Sequence, residues 1–261
     1  MDYRSWLQVA LEAANEAGEF LRSHWRQAHT IRQKGFRDIV TEADIESERI
    51  ILTHLRAAFP QHAITSEESG ADAGEVAVRW MVDPLDGTTN YSRGNPNFSI
   101  TIAAIEEGHP VLGVIYDPLR NHTFTAIRGS GAMLNGDAIH VSNTTELASA
   151  IFAVDSPRDP DERQQMWAYI ERLLQSGRTM RASGSAALNL AYVAAGWIDL
   201  YTNLHLFPWD QAAGGLLVQE AGGAMSTVAG LPWTPYRADP LAAASQALLD
   251  AFHRMQTEES K

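Results

Sequence analysis

Asp83 and Asp86 stand three residues apart around a proline, in the run Trp80-Met81-Val82-Asp83-Pro84-Leu85-Asp86-Gly87-Thr88-Thr89-Asn90-Tyr91. Trp80 to Val82 reads as the end of a buried strand. It delivers Asp83 to the strand's C-terminal edge, where ligands bind in sheet-based folds. Pro84 turns the backbone so that Asp86 points back toward Asp83, and Gly87 and Thr88 open a short helix. Two carboxylates beside free backbone N–H groups suit a divalent cation that bridges to a phosphate. A lone D-P-x-D is equally an Asx turn after a strand. What distinguishes the two is what the rest of the chain brings to the same place.

Three further acidic segments are candidates. Glu67-Glu68 ends the short strand of Ala63-Ile64-Thr65-Ser66, where adjacent glutamates also suit a solvated loop. Asp210 follows Pro208-Trp209 in the first turn of a helix, where the dipole favours a carboxylate and capping alone would explain it. Thr41 and Asp44 have the spacing of a capping box, which is the structural account of both.

The elements that must position these residues follow from periodicity. Leu7, Leu11, Ala14, Gly18, Leu21 and Trp25 form one apolar face, predicting an amphipathic helix from Tyr3 to about Arg26. A polar connection follows, then a second helix behind Thr41 that offers Ile45, Leu52, Leu55 and Phe59 to the core and stops at Pro60. The polar stretch from Ser69 to Gly74 is expected to be mobile. From Phe98 to about Ser142, β-rich runs alternate with turn pairs such as Asn135-Gly136, predicting an antiparallel meander. Strands are then expected at Ala148–Val154, Arg178–Arg181, Ile198–Thr202 and Leu241–Ala244. Helices are expected at Asp161–Leu174, Ser185–Ala195 and Trp209–Ala221, with a last one ending near Met255.

Composition bounds the partners. The 261 residues are 45% hydrophobic and contain no cysteine, which excludes thiolate chemistry and disulfides and is compatible with a cytoplasmic location. A net charge of −12 argues against nucleic acid or an anionic membrane as partner. The N-terminal residues lack the basic-then-apolar pattern of a signal peptide, and no apolar run approaches the ~18 residues of a membrane span. An acidic protein that handles an anionic ester must import positive charge, and bound metal is the source at hand.

Together these segments resemble the inositol monophosphatase family. Trp80 to Tyr91 is similar to its W-x-V-D-P-[LI]-D-G-T-T-N-[FY] signature. Trp209-Asp210-Gln211-Ala212-Ala213-Gly214 with Glu220-Ala221-Gly222-Gly223 resembles its second signature. Glu67-Glu68-Ser69 and Asp38-Ile39-Val40-Thr41-Glu42-Ala43-Asp44 match the acidic element and the D-x-V-T-x-x-D element upstream. The resemblance implies an α/β (α+β) fold, an alternating αβαβα layered sandwich of the inositol monophosphatase and fructose-1,6-bisphosphatase type. It is expected as one domain over residues 1–261, with subdomains 1–147 and 148–261, assembled as a homodimer.

The resemblance also assigns roles. Glu67, Asp83 and the Leu85 carbonyl would hold one Mg²⁺. Asp83, Asp86 and Asp210 would hold a second, with Glu67 reaching a third through water. Paired ions about 3.5–4 Å apart would polarise a phosphate monoester for in-line attack by water. Glu67 and Thr88 would hold that water, and Asp44 would orient Thr88. Gly87 and Thr88 would receive the phosphate, with Lys34 adding positive charge. Asp86, Asp210 and the Gly184-Ser185-Ala186 segment would contact the substrate.

Asn203, seven residues before Asp210, departs from the pattern, because the family's glutamate there accepts hydrogen bonds from inositol hydroxyls. An amide has no charge and also donates. This departure counts against inositol and leaves the phosphatase reading untouched, but Asn203 also offers no charge to the amine of histidinol phosphate, so inositol 1-phosphate stands first as substrate. Histidinol phosphate, or a broad sugar-phosphate range including fructose 1,6-bisphosphate, stands second, with Arg181 a candidate for a distal phosphate. Li⁺ inhibition is a further implication. Outside catalysis stand an inactive metal-binding homologue and an assembly protein that uses the fold as a scaffold.

Overall fold

The computed structural model describes residues 2–27, 30–35, 38–72, 77–157 and 159–257. Met1, Phe36 and Arg37 of the Lys34–Asp44 segment, and the 73–74 end of the polar stretch lie outside the described residues.

Helix α1 (Tyr3–His24) is capped by Asp2, whose side chain accepts from the Arg4 N–H. It buries Trp6, Ala10, Ala14, Ala17 and Leu21, while Leu7, Leu11 and Trp25 sit at the margin of the same core. The connection expected to be only polar forms a hairpin, β1 (Ile31–Gly35) against β2 (Asp38–Thr41). Every residue of β1 is exposed, so no hydrophobic period marks it.

Helix α2 (Glu42–Ala58) buries Ile50, Ile51, Leu52 and Leu55. Ile45 does not join them and is 47% exposed, which corrects the sequence expectation. The inward face of the first two turns belongs instead to Ala43, Asp44, Ser47 and Glu48, all buried. Ile45 points away because this end of the helix faces a polar site.

The first sheet takes β3 (Ala63–Ser66), β4 (Gly70–Ala71) and β5 (Val78–Asp86), and then, after the short helix α3 (Thr88–Ser92), strands β6 (Ser99–Glu106) and β7 (His109–Asp117). It is completed by β8 (His122–Ile127), β9 (Ala132–Leu134) and β10 (Asp137–Ile139), in the order β10-β9-β8-β7-β6-β5-β3-β4. The β6–β10 part is the expected meander. Strand β4 corrects the expectation of mobility at Gly70–Ala71, because that segment pairs with β3. Only β3 and β5 run parallel. Trp80 and Val82 point to the α1–α2 side and Met81 to the other, so both faces are covered and the strands read as continuous apolar runs.

The second half contributes β11 (Ile151–Val154), α4 (Pro160–Ser176), β12 (Thr179–Arg181), α5 (Ala186–Ala194) and β13 (Leu200–Thr202). It ends with α6 (Pro208–Glu220), β14 (Ala224–Thr227), β15 (Pro240–Ala243) and α7 (Gln246–Thr257). Its sheet runs β12-β11-β13-β15-β14, with β11 parallel to both neighbours. Strand β14, which the sequence reading did not include, is a short edge strand.

The result is five layers: α1 and α2, the first sheet, α5 and α6, the second sheet, then α4 and α7. The middle helices must pack on both sides, and small residues permit it. A Cβ on Gly113 of β7 would stand 2.9 Å from both Cα and O of Ala213 in α6.

Candidate active site

Asp83 and Asp86 both come from β5, and their spacing poses a problem. In a regular strand, residues three apart point to opposite faces. Asp83 pairs with Thr101 of β6 and Asp86 with Ser99, so three steps on β5 oppose two on β6. This β-bulge at Pro84-Leu85 turns both carboxylates to one side. The strand therefore continues through Asp86, beyond the turn expected at Pro84. The bulge also releases two carbonyls: Pro84 O accepts from Ser47 Oγ at 2.7 Å, and Leu85 O accepts from Thr88 Oγ1 at 3.2 Å. Asp83 Oδ1 accepts from the Leu85 N–H at 2.9 Å.

Gly87 then reverses the chain with φ +99°, and a Cβ there would also lie 2.9 Å from Asn97 O. This brings Thr88 to Asp44, whose Oδ1 accepts from Thr88 Oγ1 at 2.7 Å. The other oxygen, Oδ2, accepts from Thr41 N at 2.8 Å and Thr41 Oγ1 at 2.6 Å. Asp44 thus serves the capping box and Thr88 at once. Burial pushes its carboxyl above the usual range, against the pull of Thr41 and Thr88.

Lys34 crosses from β1 to the turn after β3, with Nζ 3.4 Å from Glu67 Oε1 and 2.5 Å from Glu68 Oε1. Burial raises the Glu68 carboxyl to about 7 in spite of Lys34. Glu48 of α2 holds the same turn, accepting from the N–H groups of Glu68 and Ser69.

Asp86 faces the start of α5. Its Oδ2 accepts from Ser185 Oγ and, at 2.9 Å, from the Ala187 N–H, while Oδ1 accepts from the Ala186 N–H at 3.3 Å. Burial outweighs these bonds and raises its carboxyl to about 6. Asp210 accepts the Phe207 N–H at 2.7 Å as the third residue of α6. Asp83 is raised well above the ordinary range, first by burial and then by the charges of Glu67, Asp86 and Asp210.

One cavity of about 870 Å³ gathers the site. Glu67, Asp83, Leu85, Asp86, Gly87, Thr88 and Asp210 line it, together with Asp155, Glu162, Gly184, Ala186 and Asn203. Ser185 is 1% exposed and stands behind Asp86, so it meets that carboxylate and not the cavity. Arg181, on the exposed end of β12, donates to Thr179 Oγ1 and Met180 O and does not border the cavity. The amide oxygen of Asn203 accepts from the Leu204 N–H at 2.8 Å.

Asp155 was not singled out in the sequence, although it ends a parallel strand, where ligands collect. Ser47 and Glu48 were also missed. Their signal was polarity at helical spacing, since Asp44, Ser47, Glu48 and Ile51 share one buried face.

Among the described residues, no three Asp, Glu or His side chains close on one point as a ready-made cage. Lys34 holds Glu67, α5 holds Asp86 and the Phe207 N–H holds Asp210. The donor set still fits a hard cation, because it is all oxygen, crowded with like charge and largely removed from water.

The sequence model of the inositol monophosphatase family matches residues 2–261. Nus factor SuhB of Escherichia coli K12 is 41% identical over 230 residues, covering 86% of this chain and 85% of that protein. The crystal structure of the extragenic suppressor protein suhB from Bartonella henselae superposes with a TM-score of 0.93 at 34% identity, covering 97% of this chain and 99% of that one. The IMPase of Thermotoga maritima superposes with a TM-score of 0.89 at 36% identity, covering 97% of each chain.

Proposed function

The chain belongs to the inositol monophosphatase family, and we propose that it is a Mg²⁺-dependent phosphate monoester hydrolase with inositol 1-phosphate as its first substrate. One observation carries the reading: Glu67, Asp83, Asp86 and Asp210, from three separate segments, border a single cavity, and the other three charges push the Asp83 carboxyl up. Glu67, Asp83, the Leu85 carbonyl, Asp86 and Asp210 are the residues that would hold two or three Mg²⁺. When bound, Mg²⁺ supplies Lewis-acid polarisation of the phosphoryl group and neutralises charge in an acidic cavity.

The chain's own residues do the positioning. Thr88 gives its proton to Asp44 and shares it with Leu85 O. Its oxygen can therefore only accept from the attacking water, which aims a water lone pair toward phosphorus. Glu67 lines the same cavity and would take a water proton, Gly87 and Thr88 would receive the phosphate, and Asp210 and Ala186 would meet the alcohol. The water oxygen bonds to phosphorus as the P–O ester bond breaks, the departing oxygen takes a proton from solvent while Glu67 releases its own, and inorganic phosphate and the alcohol are the products. Phosphoryl transfer asks chiefly for positioning and neutralised charge, which such a site provides.

Asn203 keeps histidinol phosphate or a broader sugar-phosphate range as the second substrate reading. The division into subdomains 1–147 and 148–261 belongs to this proposal too, although the two halves share the core around α5 and α6. So do the homodimer, the cytoplasmic location and Li⁺ sensitivity. Among the described residues, no helix is long and apolar enough to cross a membrane.

The name Nus factor carried by the 41% identical relative supports a further reading, that of an assembly protein built on this fold. Phosphate release separates the two. We expect Mg²⁺-dependent release, with inositol 1-phosphate showing the highest kcat/KM in a panel with histidinol phosphate, fructose 1,6-bisphosphate and adenosine 3′,5′-bisphosphate. No release from any of them, with or without Mg²⁺, overturns the enzyme reading.

A further inference from the structure

Asp155 is the first residue after β11, partly buried in the cavity wall, where its charge acts on Asp86. Strand β11 runs parallel to β13 with Val154 opposite Thr202, so Asp155 and Asn203 extend adjacent strand ends. Asp155 Oδ1 accepts from the Gly184 N–H at 2.8 Å. Its Oδ2 accepts from Asn189 Nδ2 at 2.6 Å and from the Tyr201 hydroxyl at 3.3 Å. An ionised carboxylate offers about four acceptor directions, and Gly184, Asn189, Tyr201 and the Ser183 backbone occupy them inside the protein. Asp155 is therefore poorly equipped to bind a substrate hydroxyl and well equipped to hold a turn.

The turn it holds is the one that fixes Asp86. Residues 183–187 pass from Asp155, through Gly184, to Ser185 and Ala187, both of which donate to Asp86. On the other side, Asn90 of α3 donates to Ser183 O at 2.8 Å. The segment is thus clamped between Asn90 from the first half and Asp155 from the second.

We propose that Asp155 is a positioning residue, which sets the orientation of Asp86 for Mg²⁺ by anchoring the 183–187 turn. This rests on the reading of Asp86 as a metal ligand. The turn brings three donors to Asp86, while Ser99 Oγ reaches its Oδ2 from β6 at 3.5 Å, so a shift of the turn redirects the carboxylate that would face the cation.

The test is the D155N variant, which keeps the shape but turns an amide NH₂ toward the Gly184 N–H or toward Asn189 and Tyr201. Mg²⁺ affinity is measured by calorimetry without substrate, and kcat, KM and the Mg²⁺ half-saturation are measured with substrate, all well below the melting temperature. We expect Mg²⁺ affinity to fall by about tenfold or more, with kcat falling in parallel and KM for the ester moving less than about threefold. If Asp155 acts through the turn, D155N and S185A are non-additive, and the double variant loses less than the product of the singles. Multiplicative losses, or a folded D155N with wild-type Mg²⁺ affinity, overturn the proposal. Should D155N not fold, Y201F and N189A each remove one donor to Asp155. Both are expected to weaken Mg²⁺ binding by a few-fold, and unchanged affinity in both overturns it. A wild-type protein that binds Mg²⁺ but releases no phosphate defeats the hydrolase reading and leaves this result standing.

Discussion

The Thr88 hydroxyl donates to Asp44 at 2.7 Å, and the opposite oxygen of the same carboxylate takes the Thr41 hydroxyl at 2.6 Å. One acid thus ends a helix on one side and orients a site hydroxyl on the other. The two duties separate by mutation. Thr41→Ala removes the cap hydroxyl and is expected to cost about 1 kcal/mol of stability, with activity largely kept. Thr88→Ala removes the water's acceptor and is expected to lower kcat by about 10²-fold with little change in melting temperature. Thr88→Ser restores most of the rate. Denaturant unfolding and steady-state kinetics on the three variants check this, and equal rate losses for T41A and T88A would contradict it.

The cavity itself was half legible in the sequence. Asp83, Asp86, Glu67 and Asp210 sit in recognisable segments, and all four reach the cavity. What spacing could not reveal was the bulge: residues three apart should diverge on a strand, and only pairing with β6 shows the extra residue. Asp44 was readable as a cap because capping is local, and its second contact spans 44 residues. Ile45 has the apolar type of a core residue, but its end of α2 faces the polar site, where Asp44, Ser47 and Glu48 take the inward face. Strands β1, β4 and β14 escaped because short or exposed strands carry no hydrophobic period. The exposed β1 nevertheless delivers Lys34 to Glu67 and Glu68.

Burial raises Asp83, Asp86 to about 6 and Glu68 to about 7 in the metal-free protein. The folded state then holds protons that the unfolded chain has released, so the contribution of these groups to stability falls as pH rises through that range. His62 and His253 shift downward by burial and act in the opposite sense. The informative quantity is therefore the difference in melting temperature with and without Mg²⁺, in which remote groups cancel. Mg²⁺ requires the ionised acids and displaces their protons. For the proposed ligands Asp83 and Asp86 the difference is expected to be small near pH 5 and to grow as pH rises past about 6. Scanning calorimetry in EDTA and in Mg²⁺ across this range measures it, and a pH-independent difference would argue against these acids as ligands.

Gly113 and Ala213 bring β7 and α6 into backbone contact between the first sheet and the middle helices. Gly113→Ala places a methyl 2.9 Å from backbone atoms that have no rotamer to yield. Overpacking of this kind is expected to cost about 1–3 kcal/mol, and because α6 carries Asp210, kcat should fall as well. A variant at wild-type stability would mean that α6 can move away from the sheet freely.

Asp83 gives the sharpest separation of fold from function. Its carboxylate is 2% exposed and faces three other acids, so its charge opposes folding in the metal-free protein. Asp83→Asn keeps the shape, and the amide oxygen can still accept from the Leu85 N–H. Without Mg²⁺ the variant should be at least as stable as the parent, since the cost of burying this carboxyl, or of keeping it protonated, has gone and no cavity has opened. With Mg²⁺ it should be inactive, by more than about 10²-fold in kcat, and should gain little melting temperature from the ion. Stability and function thus move in opposite directions on one substitution, which is the pattern of a residue retained for a ligand. A destabilised variant would place Asp83 among the residues that build the fold, and a variant with near-parental turnover would remove it from the metal site.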